Sequence, residues 1–178
     1  LYDGVRDVPW EDHLGVDRTV VVDARVVRSN LTHTHFAALK VKDALVDRFR
    51  DLTGRRPSVD LRNPDVRINL YVFRDEATLS IDLSGQGLHQ RGYRQAGHEA
   101  PIRENLAAAL LMQAGWPTLE GPLLDPMCGS GTFVVEGALM AAGIAPGLTR
   151  KRFGFQAWSK HSPTVWEKVR SENNSRPM

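Results

Sequence analysis

The stretch that decides the fold of this chain is LLDPMCGSGTFVVE, residues 123–136. Two leucines form the end of a predicted β-strand, Asp125 follows at its tip, and a Gly-Ser-Gly turn leads into a run of small and apolar residues. That run predicts a helix to about Ala142, which Gly143 ends in a left-handed conformation. In open α/β sheets, ligands bind at such carboxyl strand ends, where small residues let the backbone come close. The stretch therefore predicts an α/β fold with a ligand site in this turn.

The neighbours of the turn exclude three familiar kinds of site. A Walker P-loop needs Lys-Ser or Lys-Thr directly after its last glycine, where this chain has Thr132 and Phe133. A dinucleotide fingerprint needs a third Gly or Ala where this chain has Val134. A hydrolase nucleophile elbow centred on Ser130 needs glycines at 128 and 132, and neither position is glycine. The pattern that remains is DPMCGSGT, residues 125–132.

The first half of the chain predicts a small α/β unit. Thr19–Val27 is rich in β-branched residues and predicts a strand, as do Val66–Phe73 and Thr78–Leu83, which a short hairpin connection joins. The unit should end near Leu83, because the next residues, SGQG at 84–87, are typical of a linker.

A helix is predicted between the first two of these strands. Polar N-cap candidates at 32–35 precede it, and Gly54 ends it. Apolar residues at helical spacing define its predicted buried face, which consists of Val41, Leu45, Phe49 and Leu52.

A second helix is predicted to begin at Pro101 and to end before Gly115. Ile102, Leu106, Ala109 and Leu110 repeat along one predicted face of this helix, and the alanines at 107–109 are expected to allow close packing against a sheet. After a short loop, this helix leads into the predicted strand that ends at Leu124.

Composition sets broad limits on the function. The chain has 178 residues, 42% of them hydrophobic and 25% charged, as in globular proteins, and its net charge of +2 permits nucleic-acid binding without requiring it. No apolar run approaches the roughly 20 residues of a membrane span, and no signal peptide opens the chain. Cys128 is the single cysteine, and with six scattered histidines it forms no zinc spacing. We therefore expect a cytoplasmic protein with no membrane partner and no metal.

The pattern DPMCGSGT closely resembles the first motif of class I S-adenosylmethionine (SAM)-dependent methyltransferases, especially those that act on exocyclic amines of nucleic-acid bases. The resemblance implies that the acid and the glycine backbone hold the methionine end of SAM. Cys128 is interpreted as lining the pocket, since no histidine at a recognisable spacing supports a nucleophile, and no catalytic side chain is expected. The implied cofactor-binding residues are Asp125, Pro126, Cys128, Gly129, Ser130, Gly131 and Thr132.

Three further stretches extend the resemblance along most of the chain. ALKVKDALVD, residues 38–47, is similar to a helix signature of THUMP domains, which bind RNA. LSGQGLHQRGYR, residues 83–94, resembles the junction between a THUMP and a methyltransferase domain, and APIRENLAAAL, residues 100–110, resembles the helix before the first SAM motif. Together they resemble bacterial 23S rRNA guanine-N2-methyltransferases that carry a THUMP domain. The candidate RNA contacts are Lys40, Lys42, Arg91, Arg94 and Arg103.

The resemblance implies a division into two domains of the α/β class. Residues 1–84 are expected to form an N-terminally incomplete THUMP domain. Residues 85–178 are expected to form the first part of a class I, Rossmann-like methyltransferase domain, incomplete at its C-terminus. The family grips its target amine with Asn-Pro-Pro-Tyr, and neither this motif nor Asp-Pro-Pro-Tyr occurs in the sequence.

These observations lead to one expectation and two alternatives. The parent enzyme is expected to use SAM to methylate the exocyclic amine of a guanine in 23S rRNA or its assembly intermediate, while this chain alone is inactive. The first alternative is an RNA-binding module without catalytic activity, which the missing acceptor motif favours. The second is a small-molecule methyltransferase, because the first SAM motif does not select the substrate, although the THUMP-like half argues against it.

Overall fold

A computed structural model of the chain describes residues 1–94, 102–118 and 121–174. The chain divides into two compact units. Unit 1 comprises Leu1–Gly85 and Arg152–His161, and unit 2 comprises Gln86–Lys151 and Ser162–Met178.

Unit 1 contains a four-stranded sheet in the order β2-β1-β3-β4. β1 spans Thr19–Val27, as predicted, and pairs in parallel with β2 at Ser58–Val59 and with β3 at Val66–Phe73. β3 pairs antiparallel with β4 at Glu76–Ile81. The predicted α/β class is confirmed, and the two-residue strand β2 is an addition that the sequence pattern did not predict.

The hairpin between β3 and β4 is tighter than predicted. Arg74 and Asp75 both have positive φ, at 50° and 66°, and they alone separate the two strands. Two successive left-handed residues form the hairpin turn whose twist matches that of the flanking strands. The prediction that β4 begins at Thr78 is therefore wrong by two residues.

In the sequence, the helices of unit 1 lie before, between and after the strands. α1 spans Tyr2–Arg6 and α2 spans Thr34–Thr53, and short 3-10 helices occupy Trp10–Asp12 and Gly154–Ala157. α2 ends at Gly54, which has a φ of 70° and donates its N–H to the Arg50 carbonyl at 2.8 Å. Both predicted limits of the helix are confirmed to within about two residues.

The core of unit 1 forms where α2 packs on the sheet. Val41, Leu45 and Phe49 are buried there, as predicted, together with Ile68 and Leu70 of β3. The prediction for Leu52 is wrong, since 57% of this residue is exposed. Leu52 follows Val41, Leu45 and Phe49 at helical spacing. It lies in the last turn of α2, however, and the buried cluster ends before that turn.

A segment from late in the chain completes unit 1. Ala157 is part of the buried cluster, and the Phe155 N–H donates to the Leu83 carbonyl at 2.9 Å. Gly154 is required here, because an added Cβ would lie 2.4 Å from the Asp82 carbonyl oxygen. This approach of two backbones brings a distant part of the sequence into the first unit.

The described residues of unit 2 form three helices: α3 at Glu104–Gln113, α4 at Thr132–Ala141 and α5 at Pro163–Asn174. The predicted strand ending at Leu124 is not formed, and 82% of Leu124 is exposed. A strand needs a neighbouring strand for its backbone hydrogen bonds, and none occurs among the described residues of unit 2. Pro101, the predicted start of the first helix, lies outside the described residues.

The buried face of α3 differs from its predicted apolar face. Leu106 and Leu110 are about half exposed, whereas Ala107, Ala108 and Leu111 are buried. The small alanine side chains let α3 lie close to α4. The buried face of α3 therefore contains the alanines, and Leu106 and Leu110 lie outside it.

α4 ends as predicted. It stops at Ala141, and Gly143 follows with a φ of 62°. The Ile144 N–H then donates to the Leu139 carbonyl at 2.9 Å, which satisfies a carbonyl of the last turn.

Two leucines of α2 test the core of unit 1. Leu45 is fully buried, and truncating it to Ala should lower the free energy of unfolding by about 2–5 kcal/mol, since the lost methyl groups leave a cavity. Leu52→Ala is the matched control and should change it by less than about 0.5 kcal/mol. Chemical denaturation followed by circular dichroism measures both. Equal losses would contradict the observed position of the core.

An ion pair in unit 1 should make stability depend on pH. Arg48 Nε and Nη2 donate to the two Glu11 carboxylate oxygens at 2.7 and 2.6 Å, and these hydrogen bonds lower the pKa of Glu11 to about 2. A lowered carboxyl pKa stabilises the fold above the unfolded pKa near 4.5, and this stabilisation is lost as the pH falls towards 2.

Glu11→Gln should therefore destabilise unit 1 at pH 7, by no more than about 1 kcal/mol because the pair is exposed to solvent. The difference from the unsubstituted chain should vanish by about pH 2. Glu76→Gln on β4 is the control, and it should show no such trend. A difference that persists unchanged at the lowest pH would contradict this assignment.

Candidate cofactor site

The DPMCGSGT turn begins with an aspartate that has one oxygen engaged and one available. Asp125 Oδ1 accepts the backbone N–H of Met127 at 3.1 Å, which closes a local turn over Pro126. Asp125 Oδ2 is buried and has no hydrogen-bond partner among the described residues. A buried carboxylate oxygen without a donor is costly, so this atom is suited to accept a hydrogen bond from a cationic ligand group.

Two glycines shape the turn and leave space over it. Gly129 and Gly131 have φ values of 51° and 74°, which L side chains rarely adopt. A Cβ added at either position would meet no atom within 4 Å. The glycines are therefore needed for the backbone conformation, and the open space beside them allows a ligand to approach the main chain.

α4 starts directly at this turn. Gly131 is its N-cap residue, and no side chain caps the first turn in the described structure. Uncapped N–H groups at a helix start carry positive partial charge and attract anionic groups. The turn therefore combines a hydrogen-bond acceptor at Asp125 with donors at the start of α4, a pairing that matches an amino acid zwitterion.

The remaining predicted cofactor residues border this turn. Ser130 Oγ and Thr132 Oγ1 lie 3.0 Å apart, and Thr132 is buried at the start of α4. Pro126 and Cys128 are exposed, and the Cys128 Sγ lies 3.9 Å from the Gly129 carbonyl oxygen. The described residues contain no cluster of three or more histidine, cysteine or acidic side chains that could hold a metal ion.

Two buried glutamates lie on α3 and α4, and the sequence pattern predicted neither of them. Glu136 of α4 and Glu104 of α3 are only 2% and 3% exposed. Glu136 Oε1 accepts the Tyr93 hydroxyl at 2.8 Å and lies 3.5 Å from Arg91 Nε. Glu104 Oε1 lies 3.5 Å from Arg94 Nε. The spacing of residues in the sequence could have indicated Glu136. It follows Thr132 by four residues, so both side chains lie on the same face of the helix.

Burial also affects the tyrosine of this group. The pKa of Tyr93 is raised well above its ordinary value, first by burial and then by the hydrogen bond to Glu136. Tyr93 therefore stays protonated and acts as a hydrogen-bond donor to the carboxylate.

The structure distributes the five candidate RNA contacts over both units. Lys40 and Lys42 lie on α2 in unit 1, where the Lys40 Nζ is 5.3 Å from the centre of the Phe36 ring and Lys42 pairs with Asp43. In unit 2, Arg103 is exposed as the N-cap residue of α3. Arg91 and Arg94 face the buried glutamates, so part of their charge is already neutralised within the protein.

Protein families match both halves of the chain. The THUMP domain family matches residues 1–82, and the RMKL-like methyltransferase domain family matches residues 91–177. A THUMP domain and an RMKL-like methyltransferase domain are therefore both represented in the chain. The RMKL-like match runs without a break through 152–161, although that segment packs in unit 1.

Curated relatives of this THUMP and RMKL-like chain are ribosomal RNA methyltransferases. It is 55% identical over 179 aligned residues to the ribosomal RNA large subunit methyltransferase K/L of Allochromatium vinosum, and 55% identical to that of Pseudomonas aeruginosa. Each match covers 99% of this chain but only 24% and 25% of the relative. The chain thus spans about a quarter of the length of these proteins.

Solved structures show the same fold. The chain matches a Listeria monocytogenes protein described as a predicted N6-adenine-specific DNA methylase, with a TM-score of 0.82 and 36% identity over 97% of this chain and 45% of the other. It also matches SMU.472, solved in complex with SAH (S-adenosylhomocysteine), with a TM-score of 0.83 and 33% identity over 99% of this chain and 46% of the other.

Among the described residues, no helix has the length and apolar character needed to cross a membrane.

Substitutions at Gly131 test the conformation of the turn. Gly131→Ala should lower the free energy of unfolding of unit 2 by about 1–2 kcal/mol, because the left-handed conformation is strained for a residue with a Cβ. Gly131→Asn should cost less, since asparagine adopts this conformation more readily. Chemical denaturation of the two variants measures the difference. Equal stability of the Ala variant and the unsubstituted chain would contradict the observed turn.

Proposed function

We propose that the protein containing this chain transfers a methyl group from SAM to the exocyclic amine of a guanine in 23S rRNA or its assembly intermediate, in the cytoplasm. Residues 1–84 would act as the RNA-binding THUMP domain, and residues 85–178 would contribute the cofactor turn of the methyltransferase domain. The large-subunit rRNA methyltransferases among the relatives support the substrate, and the neighbour solved with SAH supports the cofactor.

A buried oxygen of Asp125 carries the cofactor part of this proposal. SAM has an α-amino group and a carboxylate at its methionine end, and Asp125 Oδ2 is a buried acceptor for which the described part of the chain supplies no donor. The open space over Gly129 and Gly131 gives a ligand access to the backbone N–H groups at the start of α4. Ser130 and Thr132, together with Pro126 and Cys128, would border the bound cofactor.

SAM would supply an electrophilic methyl group, and the residues of this chain would orient it. Asp125 would hold the amino group, and the glycine backbone would leave room for the methionine moiety. Transfer to an amine needs little acid–base assistance, so alignment of the two reactants provides much of the rate. The target base must leave its stack to reach such a pocket.

RNA binding is proposed for cations of both units, of which Lys40 and Lys42 are half-buried and Arg103 is exposed. Lys40 and Lys42 on α2 and Arg103 before α3 would contact phosphate groups, because cationic side chains provide most of the affinity for a nucleic-acid backbone. Arg91 and Arg94 are the weaker members of the predicted set, since both lie beside buried carboxylates.

We further propose that these 178 residues alone do not catalyse methyl transfer. They lack the Asn-Pro-Pro-Tyr or Asp-Pro-Pro-Tyr motif that the family uses to hold the target amine. The described part of unit 2 also contains no strand, whereas class I methyltransferases bind SAM at the edge of a sheet. Calorimetric titration with SAM should show weaker binding to the 178-residue chain than to the full-length protein.

The decisive experiment uses the full-length protein with Asp125→Asn. This change keeps the shape of the side chain but removes its charge, so it should weaken SAM binding by about 10-fold to 100-fold, the value of one hydrogen bond to a charged group. Calorimetry measures the affinity. Mass spectrometry of nucleosides from methylated 23S rRNA should detect N2-methylguanosine.

Asp17→Asn in unit 1 is the matched control, since Asp17 pairs with Arg55 and lies outside the cofactor turn. It should leave SAM affinity unchanged. Methylation of adenine instead of guanine would refute the proposed base and favour the activity described for the Listeria relative. Absence of SAM binding by the unsubstituted full-length protein would refute the methyltransferase proposal and leave an RNA-binding module.

A further inference from the structure

The short segment 91–94 carries three polar side chains that all reach buried carboxylates. Arg91 and Tyr93 meet Glu136 on α4, and Arg94 meets Glu104 on α3. The segment therefore connects to both helices of unit 2 that flank the cofactor turn in sequence.

The backbone of this segment is itself held in place. Thr149 Oγ1 donates to the Arg91 carbonyl, and Gly92 adopts a φ of 95° close to the Thr149 carbonyl. Arg150 donates to the carbonyls of Gln86 and Gly87 at 2.8 and 3.0 Å. These hydrogen bonds fix the backbone that carries the Arg91 and Tyr93 side chains. The positions available to the Glu136 carboxylate are therefore limited.

Stability alone does not explain a buried ion pair at this position. Removing two charges from water is costly, and well-packed apolar residues of similar volume often stabilise a fold equally well or better. Arg91 Nε makes no hydrogen bond among the described residues, so the ion pair itself is not directional. A hydrogen bond to the same carboxylate is directional, however, and it selects one orientation of the helix that carries it. The Tyr93–Glu136 hydrogen bond at 2.8 Å has this directional character.

Glu136 is placed to orient the cofactor turn. It lies one helical turn after Thr132, and both side chains are buried on the same face of α4. Thr132 in turn contacts Ser130 at 3.0 Å, between the two left-handed glycines. A rotation of α4 at Glu136 would therefore move the first turn of the helix and the N–H groups at its start.

We propose that Glu136, held by Tyr93 and Arg91, is a positioning residue that fixes the start of α4 in the orientation that binds the cofactor. This inference rests on the proposed use of SAM. It also assigns Arg91 a role different from RNA contact. Only 13% of its side chain is exposed, and the side chain faces a carboxylate, so little of it is available to a phosphate group.

Tyr93→Phe in the full-length protein tests the proposal, because it removes one hydroxyl group and keeps the ring. The KM and Kd for SAM should rise by about five-fold to twenty-fold, as expected when a contact that positions a site is lost, while the KM for RNA stays within about two-fold. Glu136→Gln should act in the same direction. In the Glu136→Gln background, Tyr93→Phe should have a smaller effect than it has alone, since both substitutions affect one hydrogen bond.

Tyr2→Phe provides the matched control. The Tyr2 hydroxyl donates to Asp47 at 2.6 Å, so this variant also loses a tyrosine–carboxylate bond, but in unit 1. Its SAM affinity should equal that of the unsubstituted protein. Thermal unfolding of all variants separates a loss of affinity from a loss of folded protein.

Three outcomes would overturn the proposal. If Tyr93→Phe lowers the melting temperature and leaves SAM affinity unchanged, the group only stabilises the fold. If Tyr93→Phe and Arg91→Lys weaken RNA binding and not SAM binding, the segment contacts RNA. If the unsubstituted protein does not bind SAM, the proposed function fails together with this inference, a result seen before any variant is compared.

Discussion

The close approach of the chain to α4 at Gly137 is the constraint on which unit 2 depends. A Cβ at this position would lie 2.4 Å from Leu123 Cδ2, and the Trp116 indole N–H donates to the Gly137 carbonyl at 2.9 Å. The absent side chain lets Leu123, two residues before Asp125, pack directly on the helix backbone. The DPMCGSGT turn, residues 125–132, is therefore held at both ends by the same helix, at Leu123 before it and at Thr132 after it.

The charges of unit 2 follow a consistent division. Glu104 and Glu136 are buried and lie 3.5 Å from cations of one segment, whereas Asp125 has a buried oxygen without a donor among the described residues and lies in the turn before α4. Among the described residues, Glu104 Oε2 also lacks a hydrogen-bond donor, but a cation beside its other oxygen compensates the charge of Glu104. An unpaired buried carboxylate oxygen is unfavourable in the ligand-free protein, but it becomes a source of affinity when a ligand supplies the missing donor.

Sequence patterns predicted unit 1 more completely than unit 2. β1 was predicted at its observed limits, and the glycines that end α2 and α4 were identified by their positions after apolar periodic runs. The limits of β1 and the positions of these glycines depend on local backbone preferences and on the one face that each element buries. The hydrogen bonds that form β1 and β3 come from strands within the same unit, so local propensity and tertiary structure agree there.

The errors in unit 2 have a shared physical cause, since each depends on a partner distant in the sequence. Leu123 and Leu124 have the composition of a strand, but strand formation requires a neighbour. The leucines of α3 repeat along its predicted apolar face, yet the alanines face α4 because small residues permit closer packing. The burial of Glu136 depends on Tyr93, 43 residues earlier in the chain.

The sequence by itself determined the α/β class, the limits of β1, β3 and α2, and the turn from Asp125 to Thr132, because these depend on local chemistry and periodicity. Only the tertiary structure decided which side chains of that turn remain available to a ligand. It also decided that Arg91 and Arg94 meet buried glutamates, and that Arg152–His161 packs in unit 1. Charge and exposure depend on what lies nearby in space, and neighbours in space are set by packing between distant segments.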